Sequence, residues 1–203
     1  MKRIGVMGGT FNPIHNGHLA LAKAAMREFA LDQVLFIPTG TPPHKPKKEI
    51  IDKEDRYRMV KMAIVKNKSF SVSRIEMDRP GTSYAVDTFR QLRKSFGNKA
   101  KLFYIMGLDS INEILEWKKP LELFKLCEVI VGTRPGTRIK TFHKLLNTTL
   151  KNEVDKIHLM ELKADVSSSE IRQWIRAGRK VTPFLPKVVI NYITGNNLYR
   201  GKP

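Results

Sequence analysis

The chain of 203 residues is long enough for one domain with a substantial core, and its 41% hydrophobic and 28% charged residues are typical of a globular protein, not of a disordered or membrane chain. We find no apolar run of the ~20 residues that cross a bilayer and no secretory signal, and we therefore expect a cytoplasmic protein without a membrane partner. The formal net charge of +18 predicts either attraction to phosphate groups or a solubilising basic surface.

Six short runs rich in β-branched or aromatic residues predict buried strands, and helical patterns separate most of them. This alternation predicts an α/β fold, a doubly wound parallel sheet with helices on both faces. We expect a single domain over residues 1–203, in which residues 165–203 form a C-terminal helical part. The predicted strands cover residues 2–8, 33–39, 70–77, 101–107, 127–133 and 156–162.

Two amphipathic helices can be placed by their apolar spacing. The first begins at about Asn16, and the second ends before Gly97, which stands where a C-terminal cap is expected. The single Cys127 lies in a predicted strand without a disulfide partner and is interpreted as a core residue. The helix faces consist of Leu19, Ala22, Met26 and Phe29 in the first helix and of Ala85, Phe89, Leu92 and Phe96 in the second.

The stretch "MGGTFNPIHNGHLALAK", residues 7–23, is the first candidate site, because parallel sheets bind ligands beyond the carboxyl ends of their strands. Gly8 and Gly9 let the backbone turn tightly and approach a ligand. Free N–H groups at the following helix start predict an anion site. His15 and His18 bracket its first turn, so we expect a phosphate there.

Other interpretations of this stretch are weaker. The glycines lack the G-x-G-x-x-G spacing of dinucleotide sites, and the Walker phosphate loop is absent. Zinc needs at least three protein ligands, and we find no third ligand at a recognisable spacing from His15 and His18. The two histidines could instead cap the helix.

The segment "GGTFNPIHNGH" resembles the signature G-x-F-[DN]-P-x-H-x-G-H of the nucleotidyltransferase superfamily. Near the other end, "DVSSSEIRQWIRAGR" resembles the second phosphate motif of that superfamily, I-S-S-T-x-I-R, and the spacing of Ser167 and Glu170 also fits a capping box. The resemblance implies a Rossmann-like nucleotidyltransferase fold in which both segments hold a nucleoside triphosphate.

Further blocks are similar to the bacterial nicotinate mononucleotide adenylyltransferases, in order and over nearly the whole chain: "PPHK", "SYAVDT", "GLDSINEILEW", "VGTRPG" and "NYITGNNLYR". This resemblance implies transfer of the adenylyl group of ATP to nicotinate mononucleotide, giving deamido-NAD and pyrophosphate. We expect Mg²⁺ to arrive with ATP, because the sequence offers no carboxylate cluster for a dedicated site, and we expect no nucleic-acid partner, because no element interleaves basic and aromatic residues. The oligomeric state stays open. One departure is Ala85, where members usually carry threonine.

The resemblance assigns roles to residues of this chain. It implies a catalytic set of His18, His15 and Arg172. The ATP-binding set is Gly8, Gly9, Thr10, Phe11, His15, His18, Gly107, Asp109, Ser168, Ser169 and Arg172. The mononucleotide-binding set is His44, Lys45, Ser83, Tyr84, Ala85, Trp117 and Arg134.

Several of these residues also have structural interpretations. Trp117 could stack on a pyridine ring or fill the core, and Asp109 could bind a ribose hydroxyl or cap a helix. His44 and Lys45 lie in the proline-rich segment 38–50, which could be a lid or a solvated turn. Arg134 could face the nucleotide or the solvent. For the nicotinate carboxylate we expect the backbone N–H groups of residues 83–85.

The implied mechanism is direct in-line attack of the mononucleotide phosphate on the α-phosphorus of ATP, without a covalent intermediate. His18 would act on the α-phosphate, and His15 and Thr10 would assist. The alternatives are a sister enzyme, such as a pantetheine-phosphate adenylyltransferase, a nicotinamide mononucleotide adenylyltransferase or an alcohol-phosphate cytidylyltransferase, and, in another class, a basic nucleic-acid-binding protein without catalysis.

Overall fold

The computed structural model describes residues 1–43, 50–133, 150–162 and 166–200. The predictions for His44, Lys45 and Arg134 lie outside these residues. Within the described ranges, no helix is both long and apolar enough to span a membrane.

A six-stranded sheet forms the centre of the fold, and all its neighbouring strands run parallel. The strand order is β3-β2-β1-β4-β5-β6. From β1 the chain adds β2 and β3 on one side, then crosses back and adds β4, β5 and β6 on the other side, so the order reverses between β1 and β4. This confirms the predicted doubly wound sheet, and the reversal point is where such sheets bind ligands. The strands are β1 Lys2–Gly9, β2 Gln33–Pro38, β3 Phe70–Val72, β4 Ala100–Gly107, β5 Glu128–Thr133 and β6 Ile157–Glu161.

Helices cover both faces of the sheet. The described residues also contain short 3-10 helices between the longer elements, at Gly97–Lys99, Ile114–Glu116 and Lys151–Lys156. The α-helices are α1 Asn16–Glu28, α2 Lys53–Ile64, α3 Ala85–Phe96, α4 Leu108–Asn112, α5 Pro120–Leu126, α6 Ser168–Arg176 and α7 Lys187–Gly195.

Successive residues of the central strands point to opposite faces, so the sheet separates two apolar clusters. In β4, Leu102 and Tyr104 belong to one cluster, which also contains Phe89 of α3. Phe103 and Ile105 belong to the other, which includes residues of α1, α2, α6 and α7. The C-terminal helices are therefore packed into the core on the α1 side of the sheet.

The structure refines several predicted boundaries. α1 begins at Asn16 and Gly97 caps α3 with a φ of 53°, both as predicted. The strand predicted over 70–77 ends at Val72, because Ser73 Oγ accepts from the N–H of Ile75 and the chain turns there. Residues 111–117 do not form one continuous helix: α4 stops at Asn112 and a 3-10 turn follows, which buries Ile114.

Candidate active site

Two cavities lie beyond the carboxyl ends of the strands. The larger, of about 560 Å³, is lined by the ends of β1 and β4, the start of α1 and the start of α6. The smaller, of about 250 Å³, is lined by the segment after β2, the start of α3 and Trp117. Both cavities share Gly8, Gly9 and Thr10, so the end of β1 forms a wall of each. Two ligands placed in these cavities would meet at this wall.

The glycines at the end of β1 allow a close approach to neighbouring aromatic rings. A Cβ atom on Gly8 would lie 3.1 Å from Tyr104 Oη, and one on Gly9 would lie 3.4 Å from the Phe11 ring. Phe11 itself has a φ of 47°, in the left-handed region, and its side chain is buried. The chain therefore turns sharply out of β1, and the backbone from Gly8 to Phe11 lines the larger cavity.

His15 and His18 form a reciprocal cap at the start of α1. The N–H of His18 donates to His15 Nδ1 over 3.4 Å, and the N–H of His15 donates to His18 Nδ1 over 3.2 Å. An Nδ1 that accepts a hydrogen bond carries no proton, so the proton of each neutral ring is on Nε2. The alternative of helix capping is thus correct, and it is compatible with a binding role because both residues also line the larger cavity.

Burial lowers the pKa of His15 to about 4, against a weaker opposing effect of the Glu170 carboxylate. The ring is therefore neutral near pH 7. Gly17 makes room for it: a Cβ atom there would lie 3.0 Å from His15 Nδ1 and 3.1 Å from His15 Cε1. The absence of a side chain at Gly17 therefore allows the His15 ring to pack against the first turn of α1.

The anion site predicted from free N–H groups at the start of α1 is smaller than expected. The N–H of Asn16 donates to Phe184 O over 2.8 Å, and that of His18 is taken by His15. Gly17, the residue between them, lines the larger cavity. His15 and His18 line the cavity beside it.

The start of α6 lies directly against the loop between β1 and α1. Ser168 Oγ donates to Pro13 O over 2.9 Å, and Arg172 Nη1 donates to Asn12 O over 3.0 Å. Arg172 Nη2 also donates to Ser169 Oγ, whereas Arg172 Nε is buried without a hydrogen-bond partner among the described residues. The two segments predicted to hold a triphosphate are thus in direct contact.

The capping box predicted at α6 is confirmed, with Ser167 as N-cap and Glu170 accepting from the Ser167 N–H. The N–H groups of Ser168 and Ser169 occupy the first helical turn, where no intrahelical acceptor exists. Both serines line the larger cavity opposite the end of β1. They complete a cavity with amide, imidazole and guanidinium donors, which suits a polyanion.

Sequence reasoning missed the residues that support this loop. Arg56 of α2 is 1% exposed and donates to Thr10 O over 2.8 Å and to Gly40 O over 3.3 Å. Burial lowers the pKa of this guanidinium. Asn12 Oδ1 accepts from the hydroxyl of Tyr199 over 3.0 Å. Arg56 stands among charged residues in the sequence of α2, so nothing in the sequence indicates that its side chain is buried.

The smaller cavity contains the described part of the predicted mononucleotide set. Tyr84 is the N-cap of α3, Ala85 is its first residue, and Trp117 packs 6.1 Å from the Tyr104 ring between centroids. The prediction for the Ser83 N–H is corrected, since this group donates to Thr41 O over 2.9 Å. The amides of Ala85 and Val86 lie ahead of the first helical hydrogen bonds, which Asp87 and Thr88 make to Tyr84 O, and Tyr84 and Ala85 both line the cavity.

Gly107 and Asp109 lie at the carboxyl end of β4 and line the larger cavity. The alternative that Asp109 caps a helix is wrong, because Gly107 is the N-cap of α4 and Asp109 lies in its first turn. Asp109 is exposed toward the cavity. Within the described ranges, no group of three or more His, Cys, Asp or Glu side chains could hold a metal ion.

Comparison with known proteins places this geometry in a family. The profile of the cytidylyltransferase-like family matches residues 6–174. The chain is 42% identical over 201 residues to a probable nicotinate-nucleotide adenylyltransferase of Thermoanaerobacter sp., covering 98% of this chain and 94% of the relative. It is also 42% identical over 199 residues to a protein of the same name from Moorella thermoacetica, covering 98% and 92%.

Solved structures show the same fold at lower sequence similarity. The Plasmodium falciparum nicotinic acid mononucleotide adenylyltransferase complexed with NaAD superposes with a TM-score of 0.76 at 17% identity, covering 98% of each chain. A putative nicotinate-nucleotide adenylyltransferase from Vibrio parahaemolyticus gives a TM-score of 0.72, also at 17% identity, over 100% of this chain and 98% of its own.

Proposed function

This chain belongs to the cytidylyltransferase-like family, and we propose that it transfers the adenylyl group of ATP to nicotinate mononucleotide, giving deamido-NAD and pyrophosphate. The observation that carries the proposal is the shared wall of the two cavities. The larger has donors for a triphosphate and the smaller has a tryptophan and a helix start for an anionic ring. In-line transfer requires two substrates that meet at one phosphorus, and Gly8 to Thr10 mark that position.

In the proposed arrangement, ATP lies in the larger cavity. The N–H groups and hydroxyls at the start of α6 and the Arg172 guanidinium would hold the β- and γ-phosphates. Nε2–H of His18 would donate to the α-phosphate as negative charge builds there, with Nε2–H of His15 beside it. Asp109 would accept a hydrogen bond from a ribose hydroxyl.

The mononucleotide would occupy the smaller cavity. Trp117 would stack on the pyridine ring, and the amides of Tyr84 and Ala85 would bind its carboxylate. A phosphate monoester is already a dianion near neutral pH and needs no base to become a nucleophile. The phosphate oxygen attacks the α-phosphorus of ATP, and the bond to the β-phosphate oxygen breaks as pyrophosphate leaves.

We propose that Mg²⁺ enters with ATP. Asp109 is the one carboxylate in the described lining of the larger cavity, so this lining is better suited to binding a nucleotide-bound cation than to building a protein cage. When present, the ion would neutralise charge on the leaving pyrophosphate. We also infer that the reaction takes place in the cytoplasm.

A pyrophosphate-release assay tests the proposal with ATP and one mononucleotide at a time. We expect release with nicotinate mononucleotide and much less with nicotinamide mononucleotide or 4'-phosphopantetheine. Preference for either of the latter would assign the chain to a sister enzyme. Absence of release with all three, together with tight and salt-dependent DNA binding, would favour the non-catalytic alternative.

A further inference from the structure

Glu76 is a buried carboxylate that the proposed reaction does not use. It follows β3, is 7% exposed and lines the smaller cavity beside Tyr84 and Ala85. Burying a carboxylate is costly unless hydrogen bonds compensate it, so its surroundings should contain dedicated donors.

Thr88, in the first turn of α3, supplies one donor. Its hydroxyl lies 2.7 Å from Glu76 Oε1, and Arg79 Nη2 donates to the same hydroxyl oxygen over 3.0 Å. The Thr88 oxygen accepts from Arg79. Its hydroxyl hydrogen can reach Glu76 Oε1 or, over 3.3 Å, Tyr84 O, and the shorter contact is the one to Glu76. This contact ties the carboxylate to the start of α3.

Ser83 links the same carboxylate to the segment after β2. Its Oγ accepts from the N–H of Gly40 over 3.1 Å and from that of Thr41 over 3.3 Å. With these acceptor positions filled, the hydroxyl has one hydrogen left to donate. Side-chain hydrogen bonding from Ser83 and Thr39 acts on Glu76 and favours its charged form.

The backbones of the two segments are also in direct contact. A Cβ atom on Gly40 would collide with the carbonyl oxygen of Glu76, so only glycine allows this approach. Thr39, Gly40 and Thr41 are therefore held against Glu76 both by its main chain and, through hydroxyl groups, by its side chain.

We propose that Glu76 is a positioning residue of the mononucleotide pocket, whose carboxylate fixes the segment after β2 against the start of α3 so that the amides of Tyr84 and Ala85 face the ligand carboxylate. This inference rests on the proposed function. This positioning matters because Ala85 has no side-chain donor for the ligand carboxylate, and the ammonium group of Lys118, which also lines the cavity, pairs with Asp87.

Opposing effects act on the pKa of Glu76, which is raised overall. Burial raises its pKa, while the hydrogen bond from Thr88 and the nearby Arg79 charge lower it. Glu113, Lys118 and Tyr104 of β4 also line the smaller cavity. Hydrogen bonds from hydroxyl groups hold the Glu76 carboxylate in a fixed position beside the cavity.

The test compares Glu76→Ala and Glu76→Gln with the wild type in steady-state kinetics. We expect the KM for nicotinate mononucleotide to rise about 10- to 100-fold in Glu76→Ala, since a displaced binding group costs this much, while the KM for ATP stays within about twofold. Glu76→Gln keeps one acceptor oxygen and nearly the same volume, so its KM should lie between those of Glu76→Ala and the wild type. Calorimetric titration with nicotinate mononucleotide should show the same order.

Glu128→Gln is the control, because Glu128 begins β5, contacts Lys101 and His158, and lines neither of the two cavities. Unchanged mononucleotide KM in both folded Glu76 variants, or an equal rise for ATP, would overturn the inference. If Glu76→Ala does not fold, Glu76→Gln decides in the same way. A wild-type enzyme inactive with nicotinate mononucleotide would instead overturn the proposed function.

Discussion

The imidazole rings of His15 and His18 stack with their centroids 3.6 Å apart, and each Nδ1 accepts a hydrogen bond from the other residue's backbone. This arrangement caps α1 and sets the tautomer of both rings. Because each Nδ1 is already an acceptor, Nε2 is the ring nitrogen that carries the proton in the neutral form. Structural and chemical roles can therefore be separated by choosing replacements that keep the cap.

His18→Gln is the replacement that keeps the cap. A glutamine at this position can still accept from the His15 N–H, as in a capping box, but it lacks the imidazole. We expect turnover to fall about 100- to 1,000-fold with little change in melting temperature. His18→Ala should lose the same activity and, in addition, about 1 kcal/mol of stability. Near-normal turnover in either variant would remove His18 from the reaction.

Gly17→Ala tests the space that the His15 ring occupies. The added methyl group would meet the ring at 3.0 Å, so the ring must shift, and we expect a 10- to 100-fold loss of kcat/KM for ATP. Gly195→Ala is the control, because a Cβ atom there has no atom within 4 Å. Equal activity of the two variants would show that the His15 position does not matter.

The low pKa of His15 makes stability depend on pH. Above about pH 6.5 the ring is neutral in both the folded and the unfolded chain; between about pH 6.5 and 4 only the unfolded chain binds the proton. The free energy of unfolding should therefore fall on acidification, by about 2 kcal/mol from this residue between pH 7.5 and 5.

Urea unfolding at both pH values measures this effect, with His15→Asn as the comparison. Asparagine is a good N-cap but does not titrate, so the variant should lose this part of the pH dependence. Identical pH dependence in the two proteins would mean that His15 is not protected from protonation.

Ala85→Thr introduces a hydroxyl group at the start of α3. The side chain would stand at the first position of α3, at the edge of the smaller cavity. We expect the KM for nicotinate mononucleotide to fall about threefold to tenfold, the value of one hydrogen bond, with no change for ATP. Ala85→Val adds the same volume without the hydroxyl and should not improve binding; equal improvement in both variants would contradict the hydrogen bond.

The elements that the sequence predicts well are those whose cause is local. The β-branched runs, the Gly97 cap and the capping box at Ser167 each follow from residues within a few positions, and the structure contains all of them. The glycines and histidines after β1 could be located for the same reason, because a strand end and a helix start lie next to each other in the sequence.

What the sequence could not predict depends on distant partners. The N–H groups of Asn16 and Ser83 look free in their own segments, yet Phe184 O and Thr41 O accept from them. Arg56 and Glu76 look like surface residues because burial of a charge is decided by tertiary contacts. The supporting layer of the candidate site is therefore visible only in three dimensions.

The contacts of Ser168 with Pro13 and of Arg172 with Asn12 join residues 155 and 160 positions apart. The lining of the larger cavity is therefore incomplete until α6 has packed against the loop between β1 and α1. During synthesis the nascent protein would be unable to hold the nucleotide until α6 has left the ribosome. In the finished protein, bound ATP would raise the free energy needed to release the C-terminal helices, because a ligand stabilises the arrangement that binds it.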